Sequence, residues 1–272
     1  MFFLLSYVLA AAIGYLGYRA GALSFSGGVA ACVVGGTVFG FGGLGAAALL
    51  VAFFASSSLL SFFKAGDQAK RRAAETFDKG GRRDAAQVLA NGGVAALVAL
   101  LGYFFPSPLF AGALLGSLAA ATADTWATEV GVLSGRQPRL VTTWAVVRAG
   151  TSGGVTLVGS MSAVAGSLFI GLMAALLSLV PGDSRLVGSA FSAVACALVG
   201  GTAGSFADSL LGASVQARYY CPACDKPTES RVHRCGTRST LVGGMAWANN
   251  DLVNLGATAV GAAVGGVIAI VF

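Results

Sequence analysis

Residues 115–135 read LGSLAAATADTWATEVGVLSG, and this stretch decides which class of protein the chain represents. Its first half is a run of small apolar residues, which is typical of helices that pack closely in a membrane. Two carboxylates, Asp124 and Glu129, follow directly on this run. An ionised side chain inside the membrane costs about 2.5–3.5 kcal/mol on insertion scales, so residues of this kind usually serve a function. The stretch therefore predicts a membrane helix that carries a functional polar group.

The composition of the whole chain supports this interpretation. Of 272 residues, 56% are hydrophobic and only 10% are charged, and the mean hydropathy is +0.80. Soluble domains carry about 25% charged residues, which excludes a water-soluble fold. Forty glycines among many alanines and serines favour closely packed helices. We predict an all-α fold, a multi-pass helical membrane bundle in which residues 1–272 form one domain.

Apolar runs long enough for a membrane helix, which needs about 20 residues, predict eight spans. One run is too long for a single crossing, and we divide it at GFGGLG, residues 40–45. That segment matches the glycine pattern of dinucleotide-binding loops, but no predicted strand precedes it, and a tight turn is the better interpretation. The first run lacks the basic start of a signal peptide and is kept as an uncleaved span. The spans are expected at about residues 2–18, 22–40, 43–63, 87–105, 108–127, 153–180, 186–212 and 241–272.

The positions of the basic residues favour this division into eight spans. All four lysines and eleven of the thirteen arginines lie in three polar loops, at residues 64–86, 133–152 and 213–240. Eight spans place these loops on one side of the membrane, whereas seven spans would put the first loop opposite the other two. The positive-inside rule therefore predicts cytoplasmic loops and external termini. We expect a multi-pass protein of a prokaryotic plasma membrane.

Polar residues within the spans gather toward the predicted cytoplasmic end. Asp124 and Glu129 end span five, and Asp208 ends span seven. The segments GSLAAATADT (116–125) and GGTAGSFADS (200–209) resemble each other, which suggests a parallel internal repeat with both aspartates at one depth. The remaining polar residues at this end are Asn91 in span four and Asn250, Asp251 and Asn254 in span eight.

Carboxylates with neighbouring amides and hydroxyls form an oxygen-donor set that suits Mg²⁺. We predict Asp124, Asp208 and Asp251 as ligands of this ion, assisted by the amides of Asn250 and Asn254, and Asn91 as a phosphate-binding residue. Glu129 is five residues from Asp124, about 140° around an ideal helix, so both cannot face one ion. We expect Glu129 instead to orient water or to pair with a loop arginine.

Candidate phosphate-binding segments lie near the same predicted cytoplasmic end of the membrane spans. The segment TSGG, formed by Thr151, Ser152, Gly153 and Gly154, is expected to begin span six, where unpaired backbone N–H groups would bind an anion. In KGGRRD, Lys79, Arg82 and Arg83 stand beside a flexible glycine pair and suit phosphate oxygens. Metal ligands, an anion site and basic side chains at a membrane surface together suggest phosphoryl transfer to a lipid.

The segment CPACDKPTESRVHRCG, residues 221–236, contains a second candidate metal site. Its Cys221, Cys224, His233 and Cys235 follow the C-x₂-C and H-x-C spacing of a zinc knuckle. Four unligated, reduced side chains are the alternative interpretation. We expect a structural Zn²⁺ in this loop.

Six segments carry a resemblance to a known family: FFASSSLLSFFK (53–64), GRRDAAQVLANGG (81–93), ATADTWATEVGVLS (121–134), AGTSGGVTLVGS (149–160), ADSLLGA (207–213) and NNDLVN (249–254). In this order they resemble the DUF92 / transmembrane protein 19 family, which includes the phytyl-phosphate kinase of tocopherol synthesis. Where the family usually has proline before GTSGG, this chain has Ala149. The resemblance implies transfer of a nucleotide γ-phosphate, from CTP or another nucleoside triphosphate, to an isoprenyl monophosphate of the phytyl, geranylgeranyl or farnesyl type.

A cation- or proton-coupled transporter is the main alternative, because transporters also carry intramembrane carboxylates and glycine-rich helices. A transporter should place polar groups near the middle of the membrane, whereas the acids here are predicted at one end. A non-catalytic scaffold would leave the acids without a role. We expect a Mg²⁺-dependent kinase whose partners are the nucleotide, the isoprenyl phosphate and membrane lipids, with no nucleic acid.

Overall fold

The computed structural model describes residues 1–63, 65–74, 81–179 and 189–272, and helices dominate these ranges. In chain order the helices are α1 (Phe2–Arg19), α2 (Phe25–Phe62), α3 (Gln68–Ala74), α4 (Ala85–Phe104), α5 (Pro108–Leu133), α6 (Leu157–Leu177), α7 (Ala190–Ser214) and α8 (Asn250–Val271). Two small antiparallel sheets lie in the connections. The first pairs β1 (Arg139–Leu140) with β2 (Gly154–Val155), and the second has the order β4-β3-β5, formed by Lys226–Thr228, Arg218–Cys221 and Thr240–Gly243.

Helix α2 consists of two membrane-length halves. Its 38 residues would extend about 57 Å if straight, far more than the roughly 30 Å of a bilayer core. Gly43 interrupts it with φ 86° and ψ −176°, a conformation that only glycine adopts readily. The break lies within the segment GFGGLG, where the sequence predicts a turn. Each half, 25–42 and 44–62, is then long enough for one crossing.

The bundle agrees with an integral membrane fold of about eight spans. In the described ranges, six helices are long and apolar enough to cross a membrane, namely α1, α2, α4, α6, α7 and α8. Dividing α2 at Gly43 and adding the 26-residue α5 gives eight crossings. The all-α, multi-pass prediction is therefore confirmed.

Three predicted boundaries are wrong. Span eight was expected from residue 241, but residues 240–243 pair with β3, and α8 begins at Asn250. Span six was expected from residue 153, but the loop turns through positive φ at Gly150 and Gly153, and α6 begins at Leu157. Span five continues to Leu133, so Asp124 and Glu129 lie within one continuous helix. The first residues of predicted span seven, 186–188, lie outside the described ranges.

Side-chain caps bond to first-turn backbone N–H groups of six spanning helices, all except α1. Lipid offers no partner to these groups, so each one left unpaired would cost free energy. In α4, Asp84 accepts from the backbone of Gln87, and the Gln87 side chain accepts from the backbone of Asp84, forming a capping box. The other capping side chains are Ser24, Ser107, Thr156, Ser189 and Asn249. These six caps fix where the chain enters α2, α4, α5, α6, α7 and α8.

Helix α5 lies at the centre of the bundle. Its residues 112–123 are all buried, on every face of the helix, and they are small or aliphatic apart from Ser117 and Thr122. A helix that is apolar and buried all round is a core helix. The described helices α2, α4, α6, α7 and α8 all contact it. Asp124 follows directly on this buried segment.

Glycines bring the backbones of α5, α7 and α8 into direct contact. A Cβ atom added at Gly116 would lie 2.0 Å from the carbonyl oxygen of Gly261, and one added at Gly112 would lie 2.4 Å from that of Gly265. On α7, a Cβ at Gly200 would lie 2.8 Å from the carbonyl oxygen of Gly261. This is the small-residue packing by which membrane helices associate.

We predict that Gly116→Ala lowers the thermal stability of the protein strongly, because its methyl group would overlap the backbone of α8. The matched control is Gly93→Ala in α4, where an added Cβ meets no atom within 4 Å. That control should be neutral or slightly stabilising, since alanine favours a helix by about 1 kcal/mol over glycine. Thermal unfolding in detergent, followed by size-exclusion chromatography, measures both variants. Equal stability of the two would contradict the packing described above.

Candidate functional site

A cavity of about 1060 Å³ opens at one end of the bundle. Its walls come from α2, α4, α5, α6, α7 and α8, and from the connections at 65–73, 81–83, 136–156 and 216–249. The three long polar loops of the sequence therefore meet at this end. Most of the residues proposed from the sequence line the cavity: Arg83, Asn91, Asp124, Glu129, Thr151, Ser152, Gly153, Gly154, Asp208, Asn250, Asp251 and Asn254.

The carboxyl groups of Asp124 of α5 and Asp208 of α7 lie close enough to interact directly with each other. The Oδ2 atom of Asp208 is buried and finds no hydrogen-bond partner within the described part of the chain. Two carboxylates in such contact repel each other unless a proton or a cation lies between them. This pair is therefore suited to binding a cation. The contact also agrees with the equal depth suggested by the repeat.

The polar residues of α8 lie in its first turn. The sequence placed Asn250, Asp251 and Asn254 about two turns inside span eight, but residues before Asn249 form a strand and a turn. Asn249 caps the helix, and Asp251 gains from the positive end of the helix dipole. All three predicted residues nevertheless line the cavity, together with Asn91 of α4. Their side chains thus stay available to the same site.

The TSGG segment lines the cavity as a loop, which corrects the prediction that it starts a helix. Glycine at 150 and 153 has φ of 85° and 76°, and Gly154 is paired with Leu140 in the small sheet. A Cβ at Gly153 would lie 2.5 Å from the backbone nitrogen of Ala213, so the loop packs directly on α7. The true start of α6 is capped by Thr156, which also lines the cavity.

Of the three predicted basic residues, only Arg83 is seen in the cavity wall. Its guanidinium donates to Ser58 Oγ at 3.3 Å and lies 5.9 Å from the ring centroids of Phe53 and Phe54. Burial lowers the pKa of Arg83 below its usual value, and the charge of Glu129 opposes that shift. Arg82 is exposed and lies beside Gly21, away from the cavity. Lys79 lies outside the described residues.

Glu129 forms an ion pair that was only partly expected. Its Oε2 lies 2.6 Å from Nζ of Lys70, and its Oε1 accepts from Ser61 at 2.6 Å. The sequence suggested a loop arginine as the partner, whereas the ion pair is formed by a loop lysine. Lys70 is therefore a cavity residue that sequence reasoning missed. The ion pair attaches the first basic loop to α5.

Glu229 is a second residue that sequence reasoning missed. It follows β4, lines the cavity and accepts hydrogen bonds from Ser152 Oγ at 2.6 Å and from Gln216 Nε2 at 2.8 Å. These bonds join the TSGG loop, the end of α7 and the cysteine loop. Its position in the chain, beside the cysteines, gave no indication of a role in the cavity.

The cysteine loop brings its four candidate ligands together. One ligand atom from each of Cys221, Cys224, His233 and Cys235 lies within 4.8 Å of the others. The sulfur atoms of Cys221 and Cys235 are 3.6 Å apart, close to the roughly 3.8 Å that tetrahedral Zn–S bonds of 2.3 Å require. A hydrogen bond from Thr237 lowers the pKa of the Cys235 thiol to about 5. The geometry therefore fits a zinc ion.

Comparison with known proteins supports an assignment to a family. Residues 8–262 match the family model described as integral membrane protein DUF92. The chain is 31% identical over 263 residues to Protein PGR of Arabidopsis thaliana, covering 91% of this chain and 89% of that protein. It is 38% identical over 189 residues to the uncharacterized membrane protein MJ0933 of Methanocaldococcus jannaschii, covering 66% of this chain and 71% of that protein. No solved structure matches. The chain therefore belongs to the DUF92 family of integral membrane proteins.

Proposed function

We propose that the protein is a membrane lipid-phosphate kinase, which transfers the γ-phosphate of a nucleotide to an isoprenyl monophosphate and forms the diphosphate. The observation that carries this proposal is the contact between Asp124 and Asp208 in the wall of a large polar cavity. The resemblance described in the sequence analysis suggests the isoprenyl class of acceptor, and CTP or another nucleoside triphosphate as donor.

The carboxylate pair supports Mg²⁺ as the cation of the site. Protein-bound Mg²⁺ usually has one or two carboxylate ligands together with substrate phosphates, so two aspartates in contact are a sufficient protein contribution. The buried Oδ2 of Asp208 has no partner in the described part of the chain, which fits a ligand role, and Asp251 would supply a third carboxylate. When bound, Mg²⁺ would neutralise the charge of the phosphate oxygens during transfer.

The remaining cavity residues suit the binding of phosphate groups. Arg83 would supply a fixed positive charge, and Lys79, which lies outside the described residues, stays a candidate from the sequence alone. The amides of Asn91, Asn250 and Asn254 would donate hydrogen bonds, as would the loop formed by Thr151, Ser152, Gly153 and Gly154. The acceptor is a phosphate monoester whose second pKa is about 6, so it is already largely ionised at neutral pH and needs no strong general base. Positioning and charge neutralisation would then account for most of the rate.

We propose further that the cavity faces the cytoplasm. The three polar loops at residues 64–86, 133–152 and 213–240, each of which contributes described residues to the cavity wall, contain fifteen of the seventeen basic residues of the chain. Short loops rich in lysine and arginine stay on the cytoplasmic side. The cytoplasm is also the compartment that supplies nucleoside triphosphates. This arrangement favours a kinase over the alternative transporter, since Asp124, Glu129, Asp208, Glu229 and Asp251 line one cavity at one end of the bundle.

The test of the proposed function is direct. Purified protein in lipid nanodiscs is supplied with Mg²⁺, CTP or ATP, and phytyl, geranylgeranyl or farnesyl monophosphate, and the diphosphate is quantified by mass spectrometry. We expect the diphosphate to accumulate with at least one pair of substrates. Absence of product with every prenyl chain and both nucleotides would overturn the proposal.

We predict that Asp124→Asn and Asp208→Asn each lower kcat by about 100-fold or more, because each removes a charge that positions the cation. The matched control is Asp67→Asn, since Asp67 caps α3 outside the cavity and asparagine can accept the same hydrogen bond. All three variants should elute as folded protein. Near-normal turnover of both cavity variants at saturating Mg²⁺ would show that the two aspartates are structural.

We also propose that the cysteine loop binds one structural Zn²⁺. Its four candidate ligand atoms lie within 4.8 Å of one another, and the loop they close includes Glu229, which reaches the cavity. Zinc would therefore fix the position of Glu229 without taking part in the transfer reaction. Structural zinc sites often contribute directly to the folding of small loops.

Elemental analysis of the purified protein should find about one equivalent of zinc, the stoichiometry of a single tetrahedral site. The double variant Cys221→Ser, Cys224→Ser should lose this metal and become sensitive to proteolysis between residues 221 and 236. Cys32→Ser, in α2 and distant from the loop, should keep the metal. Wild-type protein that contains no zinc but whose loop still resists proteolysis would contradict the proposed zinc site.

A further inference from the structure

Helices α6 and α7 pack closely in the half of the bundle that is remote from the cavity. Ser167 and Ala174 of α6 are fully buried. A Cβ added at Gly171 would lie 3.0 Å from Cα of Val194, and one added at Gly201 would lie 2.4 Å from Oγ of Ser167. No space remains between the two helices at this level.

The same two helices separate toward the cavity. Ser160 precedes Ser167 by seven residues and Gly171 by eleven, so all three lie on one face of α6. Ser160 is nevertheless exposed, and it lines the cavity. On α7, Phe206 lies little more than one turn beyond Gly201, is 55% exposed and also lines the cavity.

Helix α6 does not leave the bundle where this separation occurs. A Cβ added at Gly159 would lie 3.1 Å from the carbonyl oxygen of Ala127, so the first turns of α6 still pack on α5. The exposure of Ser160 and Phe206 and their place in the cavity lining therefore indicate a gap between the cavity ends of α6 and α7. We call it the α6–α7 opening, defined by Ser160 and Ala163 on one side and by Thr202 and Phe206 on the other.

The walls of the α6–α7 opening suit a hydrocarbon chain. The hydroxyl of Thr202 donates a hydrogen bond to the carbonyl oxygen of Leu198 in its own helix at 2.6 Å. Its donor therefore needs no partner in the opening. Phe206 adds exposed apolar surface, and the neighbouring exposed residues Val164 and Val199 are apolar as well. Exposed apolar faces of membrane helices contact lipid, so the opening joins the polar cavity to the bilayer interior.

We propose that the α6–α7 opening admits the apolar chain of the substrate from the bilayer, while the phosphate group reaches Asp124 and Asp208. This inference rests on the proposed action of the cavity on a lipid phosphate. An amphiphile that enters from the bilayer through this opening keeps its apolar chain out of water. Entry through the water-filled end of the cavity would expose that chain to water, which is unfavourable. The polar cavity and the apolar gap match the two ends of such a molecule.

The experiment uses a photoreactive alkyl monophosphate that has a diazirine in its chain, added to the full-length protein in nanodiscs. Mass spectrometry then identifies the labelled peptides. We expect label on α6 and α7 around Ser160 and Phe206, displaced by unlabelled geranylgeranyl monophosphate. Label confined to other helices, or label that this competitor does not displace, would overturn the proposal. This readout on the unsubstituted protein is independent of turnover.

A pair of variants on α6 provides the matched comparison. Ser160→Trp fills the opening and should reduce labelling and kcat/KM for geranylgeranyl monophosphate by about tenfold or more, as expected for steric overpacking. Ser162→Trp places the same side chain two residues away, outside the cavity lining. It should change the labelling and kcat/KM only slightly. If Ser160→Trp and Ser162→Trp both fold and show the same labelling and the same kcat/KM, the proposal is contradicted.

The two hypotheses fail in different ways. Displaceable label on α6 and α7 without any diphosphate product would support the opening and overturn the kinase. Normal diphosphate formation with label only on other helices would support the kinase and overturn the opening.

Discussion

The contact between glycine backbones of α5, α7 and α8 is the constraint on which the site depends. Lipid provides no hydrophobic drive for helices to associate, so close packing of small residues has to hold them together. Gly116 lies eight residues before Asp124, and Gly204 lies one turn before Asp208. A wider separation at these glycines would move the two carboxylates apart. The packing in the apolar half therefore sets the geometry of the polar cavity.

The two carboxylates of α5, Asp124 and Glu129, have different surroundings, and different roles are therefore expected for them. Glu129 has an ion pair with Lys70 and a hydrogen bond from Ser61, so protein groups balance its charge. Asp124 instead meets a second carboxylate, and Asp208 has a buried oxygen without a partner in the described residues. Because an unbalanced charge in a site of low dielectric is costly, an external cation is expected at the aspartates and not at Glu129.

Local patterns predicted the helices, the small-residue packing, the aspartate repeat and the cysteine cluster, since each depends on residues close in sequence or on helical periodicity. Long-range contacts were not predictable. Lys70 pairs with a residue 59 positions later, and Glu229 bonds to Ser152 across 77 positions. The start of α6 was misplaced because positive φ at Gly153 and strand pairing at Gly154 override the helical pattern. Such contacts form only when distant segments come together in the fold, so no short sequence pattern predicts them.

The central claim is that Asp124 and Asp208 hold a divalent cation against a substrate phosphate. Mn²⁺ is a paramagnetic substitute for Mg²⁺, and electron–nuclear double resonance detects phosphorus nuclei in its coordination sphere. With geranylgeranyl monophosphate bound, the account predicts a ³¹P coupling in the wild-type protein. That coupling should be absent from a folded variant carrying both Asp124→Asn and Asp208→Asn. An unchanged coupling in the double variant would show that the cation and the phosphate meet elsewhere, and it would contradict the account.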